Sequence, residues 1–444
     1  MVTAPTHPLL YQLNARIRQA ELAHETSSLL TLDAWPESEW DRLADLGFDW
    51  VWLLGVWETG QAGRQVSRNH AAWQASFKTS LPDLTTTDIC GSCFAITHYQ
   101  VASKLGGNQA LRKLRQKLNK RGLRLMLDFV PNHTALDHPW VKTHPEFYIT
   151  GTLEEQQHAP QNYTTLTVHD EQQVFAYGRD PYFDGWPDTL QLDYSNPAVP
   201  QAMQKELLHI ASLCDGVRCD MAMLLLPQVF ERTWQRTMAP FWPATIKIVR
   251  EQFSDFIFLA EVYWDLEWML QQQGFDYTYD KRLYDRLRDQ TAQPVRAHLT
   301  ADITYQRKLA RFLENHDEPR AAAVFPPAVH QSAAIINYLA PGMRFFHAGQ
   351  LTGKQIPIPI HLCRSPDEKP DAELSYFYEQ LLHILHNPLL RQGKWQLLEC
   401  LPAHTNNDTW QNFIAYQWQQ EHDSQLVIVN FAPHPGQCRY QRTI

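Results

Sequence analysis

Short runs of apolar residues recur along the chain and alternate with longer segments in which apolar residues are spaced three and four apart. Several of these runs are almost continuously hydrophobic, which is typical of parallel strands that are buried on both faces. The runs are LLYQLNARI from Leu9, DWVWLLGVW from Asp49, LRLMLDFV from Leu123, DGVRCDMA from Asp215, FIFLAEVYW from Phe256, FDYTYD from Phe275, LARFLENHD from Leu309 and MRFFHAG from Met343.

The segments between these runs predict amphipathic helices. Clear examples are SEWDRLADLGF from Ser38, ALRKLRQKLNKRG from Ala110 and NPAVPQAMQKELLHIASL from Asn196. The last of these has a proline near its start, a position that helices tolerate. Strand and helix alternate about eight times, which predicts a (β/α)₈ TIM barrel. A doubly wound open sheet is the competing architecture, and the number of strands favours the barrel.

Two regions depart from this alternation. Residues 131–193 are rich in His, Tyr, Trp, Pro and Gln and show little periodicity, which predicts an inserted domain or a long functional loop after strand three. After about Leu390 the segments LECLPAH, FIAYQW and QLVIVNFA predict short antiparallel strands. We therefore predict a barrel of residues 1–130 and 194–390, an inserted domain of residues 131–193 and a short C-terminal β domain of residues 391–444.

Composition and charge narrow the classes of function. The formal net charge is −9, with 39 basic and 48 acidic residues, so no basic face for nucleic acid is expected. The densest basic run, from Leu111 to Arg124, carries Leu111, Leu114 and Leu118 at helical spacing and predicts a solvated helix face. No window approaches the roughly 18 consecutive apolar residues of a membrane span, and no secretory signal is visible. A cytoplasmic protein with no membrane partner is expected.

Seven cysteines argue for reduced thiols rather than a disulfide framework, because the number is odd and the chain is long. Cys90 and Cys93 form a single C-x-x-C motif. Without a second pair this motif is a weak signal for zinc or for redox chemistry.

Acidic side chains follow the predicted strands. Asp128 closes the third strand, Asp220 the fourth, Glu261 the fifth and Asp317 the seventh. A single acidic residue at a strand end is usually solvated or caps a helix. In a barrel, however, the carboxyl ends of all strands meet at one face, where active sites lie. The sequence therefore predicts a basin that contains three catalytic carboxylates, Asp220, Glu261 and Asp317.

Hydrolysis or transfer of a glycoside suits such a set, because it needs one carboxylic acid to protonate the leaving oxygen and one carboxylate to capture the sugar cation. Arg218 lies two residues from Asp220 and on the same strand face, so it is expected to lower the pKa of Asp220, as suits a nucleophile. Glu261 lies between FIFLA and VYW, and this apolar setting is expected to raise its pKa, as suits a general acid and base.

Four segments together resemble the signature regions of the α-amylase family, glycoside hydrolase family 13. They are LDFVPNH from Leu127, GVRCDMAML from Gly216, AEVYW from Ala260 and ENHDEPR from Glu314. LQLDYSNPAV, from Leu190, resembles a further short motif of that family. The resemblance covers nearly the whole chain. It implies a (β/α)₈ catalytic domain, a domain B after strand three and a β-rich domain C.

The resemblance also implies roles for individual residues in a retaining double displacement on α-linked glucosides. Asp220 would be the nucleophile, Glu261 the acid and base, and Asp317 the carboxylate that binds the sugar hydroxyls. His133, His316 and Arg218 would line the same subsite, with Asp128 supporting it. CGSCFAITHY, from Cys90, resembles the loop after strand two, and Phe94 matches its sugar-stacking aromatic. A core phenylalanine beneath a loop is the equal alternative for Phe94.

The chain departs from the family pattern at Met223 and Leu224. Many starch-degrading members have Lys and His there, and the backbone of that His helps to bind a structural calcium ion. No run of oxygen ligands typical of a calcium loop is visible, so no cofactor is expected and calcium lacks support.

We expect a glycosidase that hydrolyses α-glucosidic bonds, most simply α-1,4 bonds, in maltooligosaccharides or α-glucans. A glucosyl transferase or a disaccharide-specific member is the alternative, and a catalytically inactive sugar-binding scaffold is a third. The sequence leaves chain-length preference, endo or exo action and oligomeric state open.

Overall fold

The computed structural model describes residues 5–441, so the first four and last three residues of the predicted domains lie outside the described residues. Each of the eight predicted runs forms a strand, and the strands close into one barrel. Every neighbouring pair is parallel, including the pair that closes the circle. The strands are β1 (Leu9–Asn14), β2 (Trp50–Leu54), β3 (Arg124–Phe129), β4 (Gly216–Cys219), β5 (Ile257–Ala260), β6 (Tyr277–Tyr279), β7 (Leu309–Arg311) and β8 (Met343–His347). The predicted (β/α)₈ fold class is confirmed.

Helices cover the outside of the barrel, and this explains why the strands are so apolar. All five residues of β2 are buried, because one face packs in the barrel interior and the other packs under the helices. The α-helices are Ala15–Thr26, Glu37–Asp45, Gln61–Asn69, Ala71–Ser80, Gly107–Asn119, Trp140–Thr143, Leu153–His158, Ala198–Ala211, Pro227–Trp234, Trp242–Gln252, Glu267–Gln272, Lys281–Arg288, Ala292–Leu299, Ile303–Gln306, Ala321–Val324, Pro327–Tyr338, Ala372–Leu385 and Pro388–Gln392.

The basic segment forms the helix Gly107–Asn119, as predicted. Leu111, Leu114 and Leu118 on this helix are fully buried, whereas Arg112 and Lys113 are exposed. The basic residues therefore lie on the solvated face of an ordinary amphipathic helix.

The segment between β3 and β4 has more regular structure than its sequence pattern indicated. Strand His133–Ala135 pairs with Thr189–Gln191. Tyr163–Val168, Glu171–Ala176 and Thr150–Gly151 form a separate three-stranded antiparallel sheet. The predicted boundaries of this inserted domain, residues 131 and 193, remain predictions.

A second excursion follows β2 and was not apparent from periodicity. Its base is the antiparallel pair Trp57–Thr59 and Ile96–Val101. The helices Gln61–Asn69 and Ala71–Ser80 lie between these two strands. Phe77, Leu81 and Ile89 from the excursion pack against Leu362, which follows β8. This small core joins the post-β2 excursion (residues 60–95) to the post-β8 loop (residues 354–371).

The C-terminal region is an antiparallel sheet, as predicted, with one strand more than the pattern indicated. Its strands are β9 (Lys394–Leu401), β10 (Phe413–Gln420), β11 (Asp423–Asn430) and the additional β12 (Arg439–Gln441), in the order β11-β10-β9-β12. Trp418 on β10 is fully buried, and its indole donates to the Leu339 carbonyl at 2.8 Å. This bond ties the sheet to the helix layer of the barrel.

Among residues 5–441, no helix is both long enough and apolar enough to cross a membrane.

Candidate active site

Arg218 lies at the centre of the predicted site and is fully buried on β4. Its Nη1 donates to Asp220 Oδ1 at 2.7 Å and to Asp128 Oδ1 at 3.3 Å. Its Nη2 lies 2.8 Å from Glu261 Oε2. One guanidinium thus holds carboxylates from the ends of β3, β4 and β5, and charge-assisted bonds of this kind stabilise a buried cluster that would otherwise be costly.

Asp220 follows the last residue of β4 and has two unlike carboxylate oxygens. Oδ1 accepts the bond from Arg218, whereas Oδ2 is buried and has no hydrogen-bond partner within the described residues. Burial raises the pKa of Asp220 to about 6, and Arg218 only partly opposes this effect. The predicted lowering of this pKa is therefore wrong. The reason is that Arg218 is shared among several carboxylates in a site from which water is largely removed.

Glu261 follows β5 and has both oxygens engaged. Oε1 accepts from the Tyr263 hydroxyl at 2.9 Å, and Oε2 accepts from the Met221 backbone N–H at 2.7 Å. Burial raises the pKa of Glu261 to about 7, so the predicted direction is confirmed. Met221 has φ 43°, in the left-handed region that side chains other than glycine rarely adopt. The strained residue after Asp220 thus directs its N–H to the proposed acid.

Asp317 and His316 lie on the turn after β7. Asn315 Oδ1 accepts the Asp317 N–H at 2.8 Å and shapes this turn. His316 Nε2 lies 2.9 Å from Asp317 Oδ2, and His316 Nδ1 lies 2.7 Å from Gln12 Nε2 on β1. Burial alone would raise the pKa of Asp317, but His316 and Arg218 outweigh it and hold this pKa below its usual range. Asp317 therefore stays ionised where Glu261 is protonated.

The two remaining acids of the ENHDEPR segment have structural partners. Glu314 is fully buried; its Oε1 accepts from Arg320 at 2.6 Å and its Oε2 from the Ala321 N–H at 2.8 Å. Glu318 pairs with Lys281 at 3.3 Å. Both fix the post-β7 turn and leave Asp317 as the acid of this segment that faces the cavity.

Phe94 and His133 flank the carboxylates. The Arg218 guanidinium lies 5.0 Å from the Phe94 ring centroid, and the ring also lines the cavity described below. Phe94 is 8% exposed, so it is both a core residue and a wall of the site. The His133 ring lies 5.2 Å from that of Trp186. Burial lowers the pKa of His133 to about 4, so its imidazole is neutral near pH 7.

A cavity of about 320 Å³ opens over these groups. Five of the predicted site residues line it, namely Phe94, His133, Asp220, Glu261 and Asp317. Arg218 and Asp128 lie behind this lining, where Trp52 donates to Asp128 Oδ2 at 3.2 Å. Burial raises the pKa of Asp128 to about 6. His316 also stands behind the lining.

Sequence reasoning missed several residues of the cavity wall. They come from the post-β2 excursion, the inserted segment, the end of β5 and the post-β8 loop, and are Trp73, Asp180, Asp188, Tyr263, Ile360 and His361. Tyr263 lies within the predicted run FIFLAEVYW from Phe256, so the strand pattern could have indicated it. The others come from three separate segments of the chain, and no local pattern marks them.

A larger cavity of about 600 Å³ lies on the other side of His316, between β1 and the helices Ala15–Thr26 and Glu37–Asp45. Its charged groups pair with one another, as Arg18 does with Glu39 at 3.1 Å. It contains none of the three predicted catalytic carboxylates. All three predicted catalytic carboxylates therefore line the smaller cavity.

The α-amylase catalytic-domain family model matches residues 38–357, well over half of the chain and every predicted site residue. The chain belongs to the α-amylase family. An α-amylase of Haloarcula japonica, MalA, is 23% identical over 350 residues, covering 76% of this chain and 47% of the relative. A trehalose synthase/amylase, TreS, of Mycobacterium tuberculosis is 25% identical over 262 residues, covering 50% of this chain and 41% of the relative.

Among solved structures, a maltogenic α-amylase, AmyB, of Thermotoga neapolitana superposes with a TM-score of 0.68 at 20% identity. The superposition covers 96% of this chain and 86% of that one. At this identity the likeness shows the fold. The chain spans about half the length of the curated relatives that it matches.

Two positions at which many α-amylase family members carry Lys and His beside a calcium site are apolar here. Met223 and Leu224 are buried among apolar side chains, and neither side chain offers a ligand that calcium prefers. In the inserted segment, the Gln191 amide donates to both the carbonyl and the Oδ1 of Asn132 at 3.0 Å. Within residues 5–441 no group of three or more His, Cys, Asp or Glu side chains could hold a metal ion, and Cys90 and Cys93 are both buried.

Removal of divalent cations is therefore expected to leave stability unchanged. Overnight dialysis against EDTA should shift the melting temperature by less than about 2 °C, because the Asn132 and Gln191 amides bond to each other and no acidic, His or Cys cluster within residues 5–441 could hold an ion. Differential scanning fluorimetry with and without added calcium measures this. A large loss of melting temperature that calcium restores would show a bound ion.

Proposed function

We propose that the protein is a retaining glycosidase that acts on α-glucosidic bonds, most simply the α-1,4 bonds of maltooligosaccharides or α-glucans. The observation that carries this proposal is that two carboxyl groups in one cavity differ in hydrogen bonding and in pKa. Asp220 presents a free oxygen, whereas Glu261 keeps its proton up to about pH 7. One guanidinium contacts both groups and so holds the two carboxyl groups close together, as the double displacement requires.

In the first step, Asp220 Oδ2 attacks the anomeric carbon while Glu261 gives its proton to the departing glycosidic oxygen. The C–O bond to the leaving sugar breaks as the Asp220–sugar ester forms, and Glu261 becomes ionised. Arg218, 2.7 Å from Asp220 and 2.8 Å from Glu261, stabilises the negative charge that remains on this pair. Asp317 stays ionised and accepts hydrogen bonds from the sugar hydroxyls.

In the second step, ionised Glu261 takes a proton from water, and the resulting nucleophile attacks the anomeric carbon and releases Asp220. Two inversions at one carbon return the α-anomer. The Met221 N–H and the Tyr263 hydroxyl keep Glu261 in place for both proton transfers. Proton transfer by a positioned group contributes about 10²–10⁴-fold to rate.

Product analysis on a maltooligosaccharide ladder tests this function. Proton NMR in the first minutes should show the α-anomer of the new reducing end, and only shorter products should accumulate. Early release of the β-anomer would contradict retention. Longer products would instead favour a glucosyl transferase, the second candidate, which is supported by the similarity to a relative named trehalose synthase/amylase.

The two raised pKa values predict a narrow pH optimum. Catalysis needs Asp220 ionised and Glu261 protonated. The acid limb of kcat/KM should therefore rise through a pKa of about 6, and the alkaline limb should fall through a pKa of about 7. Because the groups titrate as a pair, the profile reports macroscopic values. Initial rates on a neutral maltooligosaccharide between pH 4 and 9 measure this, and full activity at pH 9 would contradict the proton on Glu261.

We also propose a cytoplasmic location, supported by the seven cysteines, which are all free thiols.

The inactive-scaffold alternative gains no support from the site, because such scaffolds usually lose a catalytic carboxylate, and here Asp220, Glu261 and Asp317 line one cavity.

A further inference from the structure

Asp188 is a buried carboxylate that the proposed reaction does not use. It is 3% exposed and lines the catalytic cavity. Its Oδ2 has no hydrogen-bond partner within the described residues. A buried acceptor of this kind is costly unless a ligand or water satisfies it. We therefore expect a ligand in the cavity to donate a hydrogen bond to Asp188.

His361 lies close to this oxygen, with Nε2 3.8 Å from Asp188 Oδ2. This distance is too long for a direct hydrogen bond, but a hydroxyl group between the two could bond to both. A sugar hydroxyl both donates and accepts, so it matches a carboxylate and an imidazole at the same time.

His361 is held in a rigid wall. Its ring centroid lies 4.4 Å from that of Trp73, which itself stacks on His70 at 4.5 Å. The His361 carbonyl accepts the Cys90 N–H at 2.9 Å, and Ile89 forms a β-bridge with Leu362. These contacts fasten the post-β8 loop to the post-β2 excursion, so Trp73, Ile360 and His361 together form one side of the cavity, which we call the Trp73–His361 wall.

Strand order places this wall opposite the acid. Glu261 follows β5, and in a circle of eight strands β5 faces β1, with β2 and β8 on either side of β1. The leaving sugar must lie towards Glu261, because that group protonates the leaving oxygen. The non-reducing end of the sugar that reacts with Asp220 therefore faces the Trp73–His361 wall.

We propose that Asp188 and His361 recognise hydroxyl groups of a non-reducing terminal glucosyl unit, so that the enzyme acts from chain ends rather than within chains. This inference rests on the proposed function. The cavity of about 320 Å³ lies at the small end of the range of about 300–1,000 Å³ for ligand sites, and the Trp73–His361 wall lies on the side towards which a chain would continue past the reacting sugar.

Maltoheptaose with and without a 4,6-O-ethylidene group on its non-reducing end tests the inference. The wild-type protein is expected to shorten free maltoheptaose one terminal unit at a time, to release nitrophenol from 4-nitrophenyl α-glucoside, and to leave the blocked chain intact. Cleavage of the blocked chain at a similar rate would overturn the inference but leave the proposed function standing. Failure to cleave any of the three substrates would overturn both.

Two variants separate recognition from folding. Asp188→Asn should lower kcat/KM on 4-nitrophenyl α-glucoside by roughly 10- to 100-fold, the effect of losing a hydrogen bond to a charged group. Trp73→Ala should open the wall and raise the ratio of blocked to free maltoheptaose cleavage at least about 10-fold. Asp193→Asn is the control, because Asp193 is equally buried nearby but already bonds to Ser195 and Arg236. An unchanged kcat/KM in Asp188→Asn would overturn the role of Asp188.

Discussion

Replacing Asp220 with Asn is expected to lower kcat on maltooligosaccharides by roughly 10⁴-fold or more, the scale observed when a catalytic nucleophile is removed. The reason is that an amide cannot form the covalent ester with the sugar. The measurement is kcat from initial rates with enough enzyme to detect a trace of turnover. Retained activity would show that Asp220 is not the nucleophile.

The stability of the same variant provides a second, independent readout. Burial raises the pKa of Asp220 in the folded protein to about 6, so folding favours its protonated form. The stability from this group is present below its unfolded pKa and is lost as pH rises through about 6. At pH 7.5 a neutral Asn should therefore leave the melting temperature unchanged or higher, and a large decrease would show that the folded state needs the ionised carboxylate.

The control for Asp220 lies at the other end of β4. Asp215 accepts from Arg115 at 2.7 Å and from the Leu125 N–H at 2.8 Å, outside the cavity. Asp215→Asn should lower the melting temperature and leave kcat near its wild-type value. The two variants thus carry the same chemical change with opposite expected outcomes. Equal loss of activity in both would indicate a general effect on folding.

Replacing Glu261 with Gln is expected to lower kcat/KM on maltooligosaccharides by about 10²–10⁴-fold, the range attributed to a positioned proton donor. The size of the loss should depend on the leaving group. A sugar alkoxide needs a proton to depart, whereas nitrophenolate departs without one. We therefore expect the rate of the glycosylation step to fall much less with 4-nitrophenyl α-glucoside. This rate is measured from the burst of nitrophenol.

Glu267→Gln is the matched control for this variant. Glu267 follows β5 on the helix Glu267–Gln272, is 4% exposed, and has its pKa raised by burial to about 7, like Glu261. It does not line the catalytic cavity. Activity should therefore be unchanged in Glu267→Gln on both substrates. A loss in Glu261→Gln that is equal for both leaving groups would contradict the role of Glu261 as general acid.

The pKa of Asp220 shows where local reasoning fails. The sequence places Arg218 two residues away on the same strand face, and the 2.7 Å contact follows from that spacing. It does not show that the same guanidinium also serves Asp128 and Glu261, or that water is removed from all of them. The sign of the shift depends on desolvation, a property of the whole site.

The Trp73–His361 wall illustrates the same limit. Trp73 and His361 are separated by 288 positions in the chain and lie in segments without strong periodicity. Their ring contact arises because Phe77, Leu81 and Ile89 bury apolar surface against Leu362. Nothing in either segment alone specifies the other as its partner.

By itself, the sequence determined the eight strands, favoured their closure into a barrel and predicted the convergence of Asp220, Glu261 and Asp317, because parallel order places strand ends at one face. Only the tertiary structure decided which oxygens are free, how burial sets each pKa, and that Asp188 faces the cavity without a partner. Those properties depend on desolvation and on contacts between distant segments, and neither is encoded in local spacing.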